Sequence, residues 1–305
     1  MTRIGGYDRC VTEFVRITEQ RLPKRVFHRY CPELAQGGRT PAGTPVFLQL
    51  LGGHPDYMAL NAMTAEQVGA PGIDLNFGCP SKTVNRNDGG STLLREPQRV
   101  HDIVRAVRQA VSPHLPVTAK IRLGFQDASL LQDIACGVAE AQASELCIHA
   151  RTRLQGYQPP AFWEQVAPLA RQLPLPLIIN GEIWSPEDAR RAREASGCMD
   201  VMLGRGALCR PDLARAIRAD QEDTTWNGPA MPWEEAHELL LSFTTRVEAQ
   251  QLKFAGNRIK QWLNYLRRHY PQAEALFQQL KRLKTLEDIK HQLHTHPFAQ
   301  GEALL

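Results

Sequence analysis

At 305 residues, 43% hydrophobic and 22% charged, the chain suits a large globular core with a small second unit and falls outside the fibrous and disordered classes. It has no apolar run of about eighteen residues, and its opening MTRIGGYDRCVTEF lacks the apolar stretch of a secretory signal, so a cytoplasmic protein without a membrane span is expected. Seven cysteines in irregular spacing, with no CxxC pair, argue against zinc and disulfides, so no metal is expected; a net charge of +4 permits an RNA partner without requiring one.

Strands are predicted at Cys10–Phe14, Val46–Leu51, Ile73–Phe77, Val117–Ile121, Leu146–His149, Leu177–Asn180 and Val201–Leu203. They are mostly continuous apolar runs and not strict alternations, the pattern of parallel strands buried on both faces. Helical stretches lie between them. Tyr57–Val68 is one; Arg99–Val111 is another, with Val100, Ile103, Val104 and Val107 on one face. A third begins after Ser185, which can cap, and Pro186, which suits the first helical position, with Glu187 and Asp188 behind them; Gly197 suits its end.

Repeated strand–helix units predict a parallel α/β architecture. Polar or glycine residues recur near the strand ends, at Gln49, Asn76, Lys120, His149, Asn180 and Gly204. A TIM-type (β/α)8 barrel collects such ends on one face, whereas an open sheet collects only those near its switch point. After Ile217 the pattern changes. Asp220–Trp233 reads as a polar linker. Beyond it Trp233, Leu240, Phe243 and Val247 mark one amphipathic helix, and Ile259, Trp262, Leu263 and Leu266 a second. Leu276, Leu280, Leu283, Ile289 and Leu293 mark one or two more, giving a small C-terminal helical bundle. The expected division is a barrel over 1–220 and a helical domain over 232–305.

The most informative segment is Asp74-Leu75-Asn76-Phe77-Gly78-Cys79-Pro80-Ser81-Lys82. A buried strand ends there in a turn, and a cysteine at that point would face the mouth of a barrel. The plainer alternative is a buried structural cysteine at a strand end. The chain continues through Asn85, Asn87, Asp88, Gly89 and Gly90, a polar loop of the kind that borders ligand sites.

Residues 74–81 resemble the signature of the dihydrouridine synthase family, flavin enzymes that reduce uridine in tRNA. Val117-Thr-Ala-Lys-Ile-Arg122 is similar to that family's lysine strand, and Ile148-His-Ala-Arg-Thr152 to its histidine strand. Ile179-Asn-Gly-Glu-Ile183 and Met202-Leu-Gly-Arg-Gly-Ala207 resemble its two flavin-phosphate turns. The match runs from about Tyr7 to the C-terminus. Tyr7–Ile17, Arg39-Thr-Pro41 and Arg258-Ile-Lys-Gln-Trp262 look most like the C-type branch, which modifies uridine 16 in the D loop.

The resemblance implies a bound FMN, NADPH as reductant and tRNA as substrate, with a monomeric enzyme expected. Hydride must come from the flavin, because no side chain donates one. The proton must come from an acid on the other face of the uracil, and Cys79 fits, since a thiol is mostly protonated near neutral pH. Lys120 and His149 end apolar strands. Each can be a satisfied structural residue, by an ion pair in the case of Lys120, or a flavin contact; the resemblance favours the contact. Gln49 is expected at the flavin ring. Asn180, Gly181 and Glu182, with Gly204 and Arg205, are expected around the phosphate, where glycines allow close approach and an arginine adds a charge-assisted bond. Asn76 and Tyr157 are expected at the uridine, the tyrosine by stacking on an extruded base. Arg258, Lys260, Arg267 and Arg268 share a helical stretch with Trp262 and Tyr265 and are expected to meet tRNA phosphates; the alternative is a solvated basic face.

Seven strands are one short of a closed barrel. The first, at Cys10, matches the family's second, and the family's opening strand ending in Ala-Pro-Met has no counterpart in Met1–Asp8. The favoured expectation is a start site assigned too late; the other is a truncated tRNA-binding protein with weak flavin activity. A different class, an FMN barrel acting on a free pyrimidine, is disfavoured by the basic helical domain.

Overall fold

The computed structural model describes residues 1–221, 230–250 and 254–295. The middle of the predicted linker, 222–229, therefore lies outside the described residues, as does the tail 296–305 of the expected helical domain.

One parallel sheet forms the core, with strands β1 (Cys10–Val11), β2 (Val15–Arg16), β3 (Val46–Leu51), β4 (Ile73–Asn76), β5 (Val117–Arg122), β6 (Glu145–His149), β7 (Leu177–Asn180) and β8 (Asp200–Met202). Neighbours run β1-β3-β4-β5-β6-β7-β8, with β2 also on β3. The central strands are mostly apolar because both faces are covered: Leu48, Leu50, Ile73, Leu75, Val117, Ala119, Ile121, Leu146, Ile148 and Ile179 are fully buried. The outer strands differ. Cys10, Val11, Val201 and Met202 are half-buried and Asp200 is exposed. Among the described residues no ladder joins β8 to β1, so the sheet is a curled, open barrel.

The predicted strand Cys10–Phe14 is two short strands. Between them the Thr12 hydroxyl accepts the Gln49 N–H at 3.1 Å, which interrupts the ladder, and Phe14 turns to the barrel mouth. Crossover helices cover the sheet, among them Pro55–Gln67, Pro97–Ala110 and Leu131–Glu140. The helix Pro186–Ser196 has the ends its sequence suggests. Ser185 Oγ accepts from the Asp188 N–H at 3.0 Å, and Gly197 closes it with φ of 72°.

The C-terminal helices are Trp233–Ala249, Ala255–Leu266, Pro271–Leu280 and Leu286–Thr295, so the last group of leucines makes two helices. They enclose their own core of Trp233, Leu240, Ile259, Leu263, Leu276, Ile289 and neighbours. This region touches the barrel mouth. Trp262 Nε1 donates to the Leu208 carbonyl at 3.1 Å, and the Arg268 guanidinium lies 4.4 Å from the centre of the Trp184 ring.

Candidate active site

Parallel register aligns the strand ends. Asn76 pairs with Lys120, His149 with Asn180, and Asn180 with Met202. Their side chains, with those of the following turns, enclose a cavity of about 300 Å³. Ten residues expected at the site from sequence line it: Asn76, Cys79, Lys120, His149, Tyr157, Asn180, Gly181, Glu182, Gly204 and Arg205.

Cys79 is half-buried and tightly framed. The peptide before it is held on both edges: the Gly78 N–H donates to Asn76 Oδ1 at 2.9 Å, and the Gly78 carbonyl accepts from Arg122 Nε at 2.8 Å. The Cys79 carbonyl accepts from Asn85 Nδ2 at 2.8 Å, Ser91 Oγ at 2.9 Å and the Ser91 N–H at 3.1 Å. The polar loop expected after Cys79 is thus partly regular, with a short helix Lys82–Arg86 and a 3-10 turn Gly90–Arg95. Gly90 lets it come close. Its φ is 63°, and a Cβ there would stand 2.8 Å from the Cys79 carbonyl oxygen.

Positive charge lines the same cavity. Lys120 Nζ donates to Asn180 Oδ1 at 3.0 Å, and Asn180 Nδ2 donates to the Met202 carbonyl at 2.8 Å. Among the described residues no carboxylate pairs with Lys120, so the ion-pair alternative is not the arrangement found. Arg122 is buried, bonded also to the Thr152 and Gly156 carbonyls at 3.1 and 2.9 Å. Glu182 is the counter-charge: its carboxylate meets Arg151 at 2.8 Å, Arg205 at 3.2 Å and Trp184 Nε1 at 3.0 Å. Burial works to raise its pKa, but the donors Trp184 and Arg151 and the two positive charges prevail and hold it low. Arg205 lies 5.0 Å from the Tyr157 ring centre and 5.2 Å from that of Trp184. Tyr157 is 54% exposed at the rim.

His149 is buried, and its pKa is pushed down to about 2, first by burial and then by the charges of Lys120, Arg122, Arg151 and Arg205. The ring is neutral at any working pH and can both donate and accept. The unfolded chain takes up a proton at this residue near pH 6.5 that the folded chain refuses. Its contribution to stability is therefore intact above about pH 6.5 and is lost progressively as pH falls toward 2. His149→Gln is expected to flatten the acid limb of the melting temperature against pH. Limbs of equal steepness in the two proteins would contradict this.

Gln49 departs from expectation. It is buried and does not line the cavity; Nε2 donates to Asp74 Oδ2 at 2.6 Å and Oε1 accepts from Asn76 Nδ2 at 2.8 Å. A side chain satisfied at both ends beneath Asn76 supports the wall and does not form it. The basic residues also divide. Arg258 and Arg268 are exposed. Lys260 Nζ is bonded to the carbonyls of Lys281 and Leu283, and Arg267 pairs with Glu274 at 2.8 Å. Sequence reading missed Phe14, Arg122 and Trp184 in the lining and Ser91 and Arg151 behind it, while Asn85 lies in the loop it marked as bordering a site. Arg122 and Arg151 stood inside the quoted strand motifs, which was the one available signal.

Among the described residues no group of three or more His, Cys, Asp or Glu side chains is placed to hold a metal ion. The lining does suit an anionic organic cofactor. Cationic groups converge on it, and a Cβ on Gly204 would enter open space, so that backbone leaves a cradle beside Arg205.

A family profile described as dihydrouridine synthase (Dus) matches residues 1–300. A tRNA-dihydrouridine(16) synthase of Shewanella oneidensis is 49% identical over 290 residues, 95% of this chain and 90% of that protein. One of Aquipseudomonas alcaligenes is 48% identical over 301 residues, 97% of this chain and 94% of that protein. Among solved structures, DHODH in complex with ferulenol from Eimeria tenella aligns with a TM-score of 0.50 at 14% identity, over 70% of this chain and 73% of that one, a likeness of fold alone.

Proposed function

The chain belongs to the dihydrouridine synthase family, and we propose that it uses FMN and NADPH to reduce one uridine of tRNA, at position 16 of the D loop, to 5,6-dihydrouridine. The observation that carries this reading is the placement of Cys79 in the wall of a cavity that Lys120, Arg122, His149 and Arg205 also line. The position on the RNA follows the names of the relatives.

Lys120, His149, Asn180, Gly181, Glu182, Gly204 and Arg205 are the residues that would hold FMN. Gly181 and Gly204 allow backbone approach, Arg205 meets phosphate, and Lys120 favours negative charge in the site. When bound, the flavin supplies the hydride for uracil C6. Cys79 delivers the proton to C5, so the C5–C6 double bond becomes single and the thiolate is left to regain a proton from solvent. Neutral His149 can hydrogen-bond without adding charge. Asn76 meets the base, and Tyr157, exposed at the rim beside Arg205, stacks on it once it leaves the RNA helix. Glu182 orients Arg205 and offsets part of the positive field. The enzyme is proposed to act as a monomer in the cytoplasm, with the barrel of 1–220 as catalytic unit and the helices of 232–305 gripping tRNA.

The test is the visible spectrum of the purified protein. A bound yellow chromophore, bleached by NADPH and restored by tRNA that lacks dihydrouridine, is expected. A colourless protein that binds tRNA would replace this reading with an RNA-binding one. Restoration by a free pyrimidine and not by tRNA would replace it with a free-base reductase.

Of the four cations expected to meet tRNA, Arg258 and Arg268 are exposed and open to phosphate. Arg258→Ala with Arg268→Ala is expected to weaken tRNA binding and to lower the slope of log affinity against log salt by about 1 to 2. Lys260→Ala removes bonds to two carbonyls near the end of the helix Pro271–Leu280 and is expected to lower the melting temperature while leaving that slope within error. A slope change as large for Lys260→Ala as for the double variant would reverse the division.

A further inference from the structure

Barrel interiors are normally filled by apolar layers. Here one layer is polar: Asp74 on β4 is level in register with Gln49 on β3 and Thr118 on β5. Asp74 is 2% exposed. Burying a carboxylate there costs free energy that a valine or leucine would not, unless the group has partners. It has two direct ones. Gln49 Nε2 donates to one oxygen and Thr118 Oγ1 to the other, both at 2.6 Å. From Gln49 the bonds continue outward: Asn76 Nδ2 donates to Gln49 Oε1 at 2.8 Å, and the Gly78 N–H donates to Asn76 Oδ1 at 2.9 Å. The next residue is Cys79.

We propose that Asp74 is a positioning residue for Cys79, acting through the chain Asp74–Gln49–Asn76–Gly78. The inference rests on the reading of Cys79 as the acid. The chain has one direction. A carboxylate can only accept, and a backbone N–H can only donate. Two amides between such ends must each turn the nitrogen toward Asp74 and the oxygen toward Gly78. Neither amide has a second orientation that keeps all bonds. Arg122 holds the other edge of the same peptide at the Gly78 carbonyl. Asp74 thereby fixes, from beneath, the peptide that carries the thiol. Asn76, on the same face of β4 two residues along, transmits this to the cavity wall.

The test is a single-turnover comparison in two backgrounds. Holoenzyme reduced beforehand with NADPH is mixed with tRNA lacking dihydrouridine, and return of flavin colour is timed. Asp74→Leu keeps the branched four-atom side-chain shape and removes the acceptor, which leaves the Gln49 amide free to turn. It is expected to slow the tRNA step about 10- to 100-fold, as small misplacements of reacting groups do, with flavin content and NADPH reduction within about threefold of the parent. In a Cys79→Ala background the same change is expected to add less than about threefold, because residues that act as one unit are not additive. Asp74→Asn keeps an acceptor for Gln49 and is expected to retain the tRNA step within about fivefold.

Equal slowing by Asp74→Leu in both backgrounds would overturn the proposal, since Asp74 would then act elsewhere. So would equal slowing by Asp74→Asn and Asp74→Leu, which would make charge and not orientation the operative property. Full speed in Asp74→Leu would also overturn it. If Asp74→Leu yields no holoenzyme, Asp74→Ala is read by the same criteria. Normal turnover in Cys79→Ala alone would instead bring down the assignment of the acid, and that result is visible without any change at Asp74.

Discussion

Cys79→Ala is expected to bind FMN, to accept electrons from NADPH at close to the parent rate, and to lose reduction of uridine by about 10²- to 10⁴-fold. The split follows from where the thiol acts. Its proton is needed only when uracil C5 is to be saturated, and nothing in the reductive half of the cycle consumes it. The frame around it is backbone: the Gly78 peptide is held by Asn76 and Arg122, and the Cys79 carbonyl by Asn85 and Ser91. None of these bonds involves the thiol, so the variant keeps its loop and its cavity. Stopped-flow measurement of each half-reaction checks the prediction. Equal losses in both halves would mean that Cys79 supports the pocket, and near-parent turnover on tRNA would remove it from the chemistry.

Gly181→Ala carries the second large effect, this time on the cofactor. The residue has φ of 117°, a region side chains rarely enter, and a Cβ there would stand 2.9 Å from His149 Cδ2 and 3.2 Å from its Nε2. His149 cannot retreat cheaply, because it is buried against Arg151 at 3.4 Å. The change therefore combines backbone strain with a clash, about 2–4 kcal/mol of destabilisation together. Its effect falls on two residues proposed to hold FMN. Loss of bound flavin is expected under conditions where the parent stays yellow, with a lowered melting temperature. Flavin affinity equal to the parent's would show that the turn after β7 does not bear on the cofactor.

The buried strands were the most legible part of the sequence. Val46–Leu51 and Leu177–Asn180 coincide with the observed β3 and β7, because short, mostly apolar runs between helical stretches have few other uses in an α/β chain. Cys10–Phe14 was legible as extended but not as broken. The break depends on the Thr12 hydroxyl taking a backbone N–H from a neighbouring strand, a contact set by register and not by local pattern. The site divides the same way. Cys79, Lys120, His149 and Asn180 stand at strand ends, and a barrel brings strand ends together. Gln49 stands near one too, yet it points to Asp74 in the interior, and only the sheet register reveals that. Lys260 and Arg267 sit on a visibly basic helix, but sequence spacing carries no information on the carbonyls at Lys281 and Leu283 or on Glu274. Trp184 stands just beyond the motif Ile179–Ile183, and nothing in the local pattern marks it. In the fold its ring receives both Arg205 of the barrel and Arg268 of the helical region.

The central claim is that this cavity reduces a uridine within tRNA, with Cys79 as the source of the proton. It is tested most directly by mapping dihydrouridine, nucleotide by nucleotide, in tRNA that lacked it and was incubated with purified holoenzyme and NADPH, beside the same incubation with Cys79→Ala. The account predicts dihydrouridine at uridine 16 with the parent enzyme and little or none with the variant. Dihydrouridine formed equally by both proteins, or none formed by a fully flavin-loaded parent, would contradict it.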